Sequence, residues 1–331
     1  MKNANVAFRD LLRHCVKASN TLPLWQSYIT RWPVVLSYHL VGDACPPSTK
    51  AIFTPHDLFI SNLKSFQTNL RFLSFEEFMG IRDDPKASKH SVMLTFDDGF
   101  SKSWQAAREA LSLLGIPSIF FVNTSTLDNA RSSWSTQFNW LLDTGGVEAL
   151  DPLWQLVSHG HRPHISVARQ IALAHFSKEC FLPAIEKSLN DRGFTSAGLA
   201  EHLNLFVSSD SLRLAPTQIT IGNHSHNHYP MGRLLQADLY DEIVEAHRQI
   251  SDITGVPPNV FAYPYGTPND CYFDERGRKI LSQLGSYQCI FSNVQSQNRS
   301  WEYGRIGLDG HSADCAMLAL SNVRWKALLG A

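Results

Sequence analysis

Short apolar runs rich in β-branched and aromatic residues recur along the chain, and most are followed by a stretch in which apolar side chains return every three or four positions. The runs have the profile of strands buried on both faces, and the stretches between them that of amphipathic helices. Pro33 to His39 is the first run. Pro55 to Leu70 is the first helix, with Leu58, Phe59, Leu63, Phe66 and Leu70 on one face. Phe72 to Phe75 reads as a short strand, and Ser74 with Phe75, Glu76 and Glu77 behind it as a helix start. Ser91 to Phe96 is the next strand, and Trp104, Ala107, Leu111 and Leu114 mark a helix that Gly115 closes. Ser118 to Asn123 is strand again.

Residues 124–217 break this rhythm. They carry helical patterns, such as Val167 to Phe176 and Phe181 to Leu189, and few strand-like runs. We expect a mainly helical insertion that packs over or beside the sheet and shapes a cleft, since a segment this long inside a domain has structure or function of its own. The alternation then resumes with strands at 218–222, 259–263 and 287–291 and helices at 234–254 and 273–284. About seven strands alternate with helices, which predicts parallel strands joined by right-handed crossovers. Phe8, Leu11, Leu12, Cys15 and Val16 fall at helical spacing, so residues 1–32 read as an N-terminal helical segment and 33–331 as a single domain.

Composition narrows the function. Apolar residues make up 44% of the 331 and charged residues 18%, enough for a sizeable core and against disorder. A net charge of −1 with no run of Lys or Arg argues against nucleic acid or an anionic membrane as the main partner. Six scattered cysteines without a Cys-x-x-Cys pair fit free thiols in a reducing compartment. There is no secretory h-region and no window of roughly 18 or more apolar residues, so a cytoplasmic protein without a transmembrane segment is expected.

Candidate chemistry gathers where strands end. Asp97 and Asp98 close the Ser91 run just before Gly99, at the end of a core strand where α/β sheets place their sites. Adjacent residues of an extended chain point opposite ways, so the two acids can serve different purposes. After the strand at 218 comes Gly222-Asn-His-Ser-His-Asn-His228. One helical turn would put His224 and His228 on one face, and two histidines with a carboxylate make the usual donor set of a catalytic zinc or related site. Asp98 is the natural third donor if the two strands are neighbours. Phe261-Ala-Tyr-Pro-Tyr-Gly266 ends a third strand; Pro264 fixes the backbone there, so the amide of Tyr265 is a candidate oxyanion donor.

Thr95-Phe-Asp-Asp-Gly99, His224-Ser-x-x-His228 and Phe261-x-Tyr-Pro-Tyr-Gly266, in this order, resemble the first three motifs of the polysaccharide deacetylase family of NodB-like carbohydrate esterases (family 4). Leu36-Ser-Tyr-His39 and Phe53-Thr-x-x-x-Leu58-Phe59 are similar to its bacterial exopolysaccharide branch. The resemblance runs from about residue 33 to about 310, the helical insertion excepted. It implies an α/β fold, a distorted (β/α)7 barrel of the NodB type. It also implies a hydrolase that removes acetyl groups from an acetamido sugar with a divalent metal, Zn2+ first and Co2+ or Ni2+ as alternatives. Asp97 would be the general base, Asp98, His224 and His228 the metal ligands, and the Tyr265 backbone an oxyanion donor. Two features depart from the family: Ala262 stands where many relatives carry the Arg that orients the base, and no Leu-x-His motif supplies the general acid. His311, in Leu308-Asp-Gly-His311, and His39 are the candidates for that acid. An amidase acting on another N-acylated amine, or a catalytically silent sugar-binding protein, are the rival expectations.

Overall fold

The computed structural model describes residues 33–47, 49–265, 275–293 and 301–312. The expected N-terminal helix, Gly266, and Cys15, Cys271 and Cys315 lie outside the described residues. Cys45, Cys180 and Cys289 are free thiols.

The sheet is wholly parallel. Its strands are β1 (Val34–Tyr38), β4 (Arg71–Phe72), β5 (Ser91–Phe96), β6 (Ser118–Val122), β7 (Ile219–Asn223), β8 (Val260–Ala262), β9 (Cys289–Ser292), β10 (Glu302–Gly304) and β11 (Ile306–Gly307). The spatial order is β10-β9-β8-β7-β6-β5-β1-β11, with β4 also pairing β5. A small separate pair, β2 (Leu40–Gly42) and β3 (Phe53–Pro55), follows β1.

Closure comes from one short stretch. β10 pairs β9 at one edge and β11 pairs β1 at the other, and only Arg305 separates β10 from β11. The segment 302–307 therefore joins the two edges into a nearly closed barrel, which removes the exposed edges an open sheet would leave. Neither β10 nor β11 is among the expected strands: at three and two residues, they carry too little alternation to read.

Between strands run α1 (His56–Gln67), α2 (Phe75–Ile81) and α3 (Ser101–Leu114). Ser74 caps α2 through a full capping box with Glu77, as its position before two glutamates predicts. Gly115 ends α3 in a left-handed conformation. After β6 come α4 (Trp134–Gly145), α5 (Asp151–Ser158), α6 (Ile165–Ala174), α7 (Lys178–Asn190), α8 (Ser196–Leu203) and α9 (Ser209–Arg213), and no strand of the main sheet. α10 (Gln236–Thr254) and α11 (Glu275–Leu284) complete the ring.

Strand parity divides the core. Val35, Met93, Ile119, Phe121, Cys289 and Phe291 pack together inside the barrel. Val34, Leu36, Val92, Leu94, Phe96, Phe120 and Val122 face outward beneath α1 and α3. All are at most 5% exposed, and each fully buried large apolar side chain contributes about 1.5–3 kcal/mol. The helical segment has a core of its own around Trp134, Phe138, Trp154, Phe181 and Ile185, which continues onto Phe261 and Ile290 of the sheet. That continuity seats the helices over one side of the barrel mouth.

Candidate active site

Met93, Thr95 and Asp97 alternate along β5, so Asp97 emerges on the inward side, at the carboxyl end of the barrel. Parity alone would send Asp98 outward. Instead Asp98 and Gly99 both adopt positive φ, +69° and +71°, and this left-handed turn brings Asp98 back over the same mouth. Asp tolerates that region better than most residues, and glycine does so freely.

His224 follows β7. The loop from 224 to 228 is not a helical turn: Ser225 and His228 have φ of +70° and +58°. A short hydrogen-bonded knot replaces the helix. Ser225 N donates to Asn223 Oδ1 (2.8 Å), and His228 N donates to Ser225 Oγ (3.1 Å). β5 and β7 are also not neighbours, since β6 lies between them. Asn123 at the end of β6 donates its side-chain amide to the His224 carbonyl and so ties the histidine loop to the intervening strand.

The result is convergence. Asp98 Oδ1 lies 3.3 Å from His224 Nε2 and 3.1 Å from His228 Nε2. Bonds of about 2.0–2.2 Å to a tetrahedral ion set ligand atoms roughly 3.3–3.6 Å apart, so three such atoms fit a single divalent cation. The bonding states fit as well. His224 Nδ1 lies 2.8 Å from the Ala262 carbonyl, which can only accept, so Nδ1 carries the proton and Nε2 presents its lone pair. Asp98 Oδ1 is buried yet accepts no hydrogen bond. Burial opposes its ionisation, but His228 and His224 outweigh this and hold the carboxyl well below the usual carboxylate range. His228 is pushed below its ordinary value, mainly by burial. Ser135 Oγ lies 3.4 Å from His228 Nδ1, and Trp134 Nε1 donates to the His228 carbonyl (2.9 Å), so α4 braces this histidine.

Asp97 has a different partner. Arg305 grips it with two charge-assisted hydrogen bonds, Nη1 to Oδ1 and Nη2 to Oδ2, each 2.6 Å, and both side chains are at most 1% exposed. Burial works against the charge, and Arg305, His224 and His39 overcome it, so the carboxyl titrates below its ordinary value. The position at 262 is indeed alanine; the arginine comes from the seam of the barrel instead. Sequence reading missed Arg305, and its only signal there is a lone Arg between Gly304 and Ile306.

The two acid candidates separate. His39 N and Nδ1 meet Asp309 Oδ1 and Oδ2 at 2.8 and 2.7 Å, and its Nε2 faces Asp97 Oδ2 at 3.7 Å. The pairing of Ser37 with Gly307, continued two residues on, sets Asp309 beside His39. Burial disfavours the charged ring, but the Asp309 carboxylate, with Asp98 and Asp97 behind it, raises the His39 pKa to about 10. His311, by contrast, is exposed, and its backbone carbonyl accepts from Asn62 on α1 (2.8 Å). It lines no part of the cleft.

These groups surround a cleft of about 600 Å³. The helical segment supplies one wall through Ser135, Asn139, Arg169, Gln170 and Phe206. Tyr265, with φ of +62°, lays its ring 4.8 Å from that of His228. Among the described residues, no helix is long and apolar enough to cross a membrane.

Comparison with known proteins agrees with this arrangement. A family model described as polysaccharide deacetylase matches residues 84–164 and 190–288, just over half the chain. An uncharacterized Bacillus subtilis protein, YlxY, is 24% identical over 151 residues, 46% of this chain and 46% of that protein, so the match spans about half of the relative's length. Among solved structures, IcaB from Ammonifex degensii superposes with a TM-score of 0.54 at 16% identity, covering 88% of this chain and 97% of that one. A polysaccharide deacetylase from Bacillus cereus gives 0.53 at 12% identity, covering 87% and 68%. At such identities the structures speak for the fold alone. The family match, with a parallel barrel closed through Arg305 and an Asp/His/His group at its mouth, places this chain in the polysaccharide deacetylase family.

Proposed function

We propose that the protein is a divalent-metal-dependent deacetylase that hydrolyses the N-acetyl group of an acetamido sugar in a polysaccharide, oligosaccharide or glycan precursor. The observation that carries this reading is the meeting of Asp98 Oδ1, His224 Nε2 and His228 Nε2 at ion-sharing distances beside an ionised, clamped Asp97. Asp98, His224 and His228 would hold the cation, with Zn2+ the first choice. When bound, it would polarise the acetamide carbonyl and lower the pKa of a water towards neutrality.

The side chains then divide the proton work. Asp97 accepts the proton of the attacking water, and Arg305 fixes the orientation of its carboxylate. Water oxygen bonds to the carbonyl carbon, the carbon–nitrogen bond breaks, and the amine departs with a proton from His39, leaving acetate. His39 is suited to that step because Asp309 keeps it protonated at neutral pH. Tyr265 offers its backbone N–H to the oxyanion. Residues 33–331 form one domain in this reading, with 124–217 an insertion that sets specificity.

The silent sugar-binding alternative loses its main motive, because an arginine does hold the base. The test is acetate release from N-acetylglucosamine oligomers by protein stripped with chelator and reloaded with zinc, cobalt or nickel, with bound metal counted by mass spectrometry. Release that follows metal content and disappears in Asp97→Asn supports the reading. Release indifferent to chelation, or none from any acetamido sugar, overturns it.

A further inference from the structure

Helix α6 lies wholly within residues 165–189, the stretch between the two segments matched by the family model. Its residues Ser166, Arg169, Gln170 and Leu173 all reach the cleft, at the spacing of one helical face. Arg169 stands out among them. Its guanidinium carbon is 5.9 Å from the centroid of the Tyr265 ring, which also packs 4.8 Å from the His228 ring and 5.9 Å from that of Trp134. One aromatic ring thus separates the arginine from the reacting centre.

Two of the other charges lining the cleft are matched by ion pairs within the protein, Asp97 by Arg305 and His39 by Asp309, and Asp98 faces the His224 and His228 nitrogens. Arg169 has no carboxylate within ion-pair distance and makes no hydrogen bond among the described residues. It is half-buried, with its guanidinium over the tyrosine ring. Guanidinium offers five N–H donors in a fork that suits a carboxylate or phosphate. Gln170, Asn139 and Ser166 add neutral donors for sugar hydroxyls on the same wall.

We propose that Arg169 binds an anionic substituent, a carboxylate or a phosphate, on the substrate sugar or its immediate neighbour. What occupies the cleft rests on the deacetylase reading above; that the occupant is anionic rests on Arg169. An arginine merely covering apolar surface would leave affinity for charged and neutral sugars alike.

The test is equilibrium binding by calorimetry, with and without zinc, so that an anion held by the metal is told from one held by the wall. The probes are an N-acetylglucosamine tetramer, the same tetramer carrying a C6 carboxylate, free N-acetylglucosamine and N-acetylglucosamine 1-phosphate. Wild-type protein is expected to bind at least one anionic probe ten-fold or more tightly than its neutral counterpart, in the absence of zinc as well. Arg169→Gln should erase that preference while leaving the neutral probes within about two-fold, and Arg169→Lys should keep part of it. The probe that shows the preference identifies carboxylate or phosphate as the group read. Equal affinities for charged and neutral probes, or an Arg169→Gln loss shared equally by both, overturn the proposal. Because binding is read rather than acetate, its failure leaves the deacetylase reading standing, and absence of turnover with anion selectivity intact removes only that reading.

Discussion

The two halves of the cleft solve the same problem, holding charge in a buried place, in opposite ways. In one half Asp98 has a buried oxygen with no aligned hydrogen bond, and two imidazole nitrogens face it without bonding to it. In the other, both oxygens of Asp97 are taken by Arg305, and both oxygens of Asp309 by His39. The first half is incomplete by itself and would suit a cation. The second is complete and favours a fixed protonation pattern, Asp97 ionised and His39 charged. Adjacent residues in the sequence thus end in unlike environments even though a left-handed turn at Asp98 brings both over one mouth.

The sharpest way to break this contrast is to empty the incomplete half. Chelation, or His228→Ala, is expected to lower acetate release by about 10³-fold or more, since polarisation of the carbonyl is worth several kcal/mol and each 1.4 kcal/mol is ten-fold. Thermal stability measured without metal should change far less in His228→Ala than in a variant of the Asp97 pair. A His228→Ala protein that keeps its activity, or its stoichiometric zinc, would remove the metal half of the comparison.

The complete half responds differently. Asp97→Asn should cost about 10²–10⁴ in turnover yet leave zinc content unchanged. It also leaves Arg305 as a buried unpaired cation, an expected loss of about 3–5 kcal/mol in stability. The sign with pH follows from the depressed pKa of Asp97. Its pair stabilises the fold fully above the ordinary value of 3.8 and loses that contribution as pH falls through the lower folded value. Asp97→Asn should therefore flatten the acid limb of a stability-against-pH curve. Arg305→Met combined with Asp97→Asn should cost much less than the two singles added, because neither charge is then stranded. Additive costs in denaturant melts would show that the clamp is not a unit.

How far each half was legible in the chain follows from the same contrast. Asp97, Asp98, His224 and His228 lie in two short contiguous motifs at strand ends, and their residue types alone suggest a metal site. The alternation of apolar runs with helical periods was equally readable, because every strand from β5 to β9 except β8 is at least four residues long. Arg305 and Asp309 were not readable. Each meets its partner across more than 200 residues, and they come together only because a five-residue pair of strands closes the barrel. The expected helical turn at His224 failed for a local reason: the side chains of Asn223 and Ser225 satisfy the backbone there and permit left-handed residues. By position in the chain His311 was the better candidate, and only the register of β1 against β11 gives Asp309 to His39.

A smaller effect tests which histidine supplies the proton. With its pKa raised to about 10, His39 contributes stability that is whole below its ordinary 6.5 and is lost as pH rises through the folded value. Asp309→Asn removes the carboxylate that raises it, so the alkaline limb of turnover should move to lower pH, with roughly ten-fold less activity at pH 9 and a small change at pH 6. His39→Gln should abolish the limb, while His311→Gln should leave the profile where it is. An alkaline limb that ignores Asp309 would return the acid to another group.

The mildest expected change joins the two halves through the support of the histidine loop. Glu242 on α10 is buried, and its carboxylate accepts from Asn227 N (2.7 Å) and Asn227 Nδ2 (2.6 Å), while its backbone carbonyl accepts from His226 N (2.9 Å). These bonds hold the middle of the loop whose two ends carry His224 and His228. Glu242→Gln preserves the shape but turns one acceptor into a donor facing Asn227, a cost of about 1–3 kcal/mol to a buried network. Loosening the loop should weaken zinc binding by up to about ten-fold, less than the 10–100-fold typical when a group bonded directly to a ligand is lost. Once saturated with zinc, the variant should turn over within about two-fold of wild type, because Asp97, Arg305 and His39 sit on other elements. A deficit that persists at full metal occupancy would mean that the histidine loop also positions the clamped half, and that the two halves are one mechanical unit.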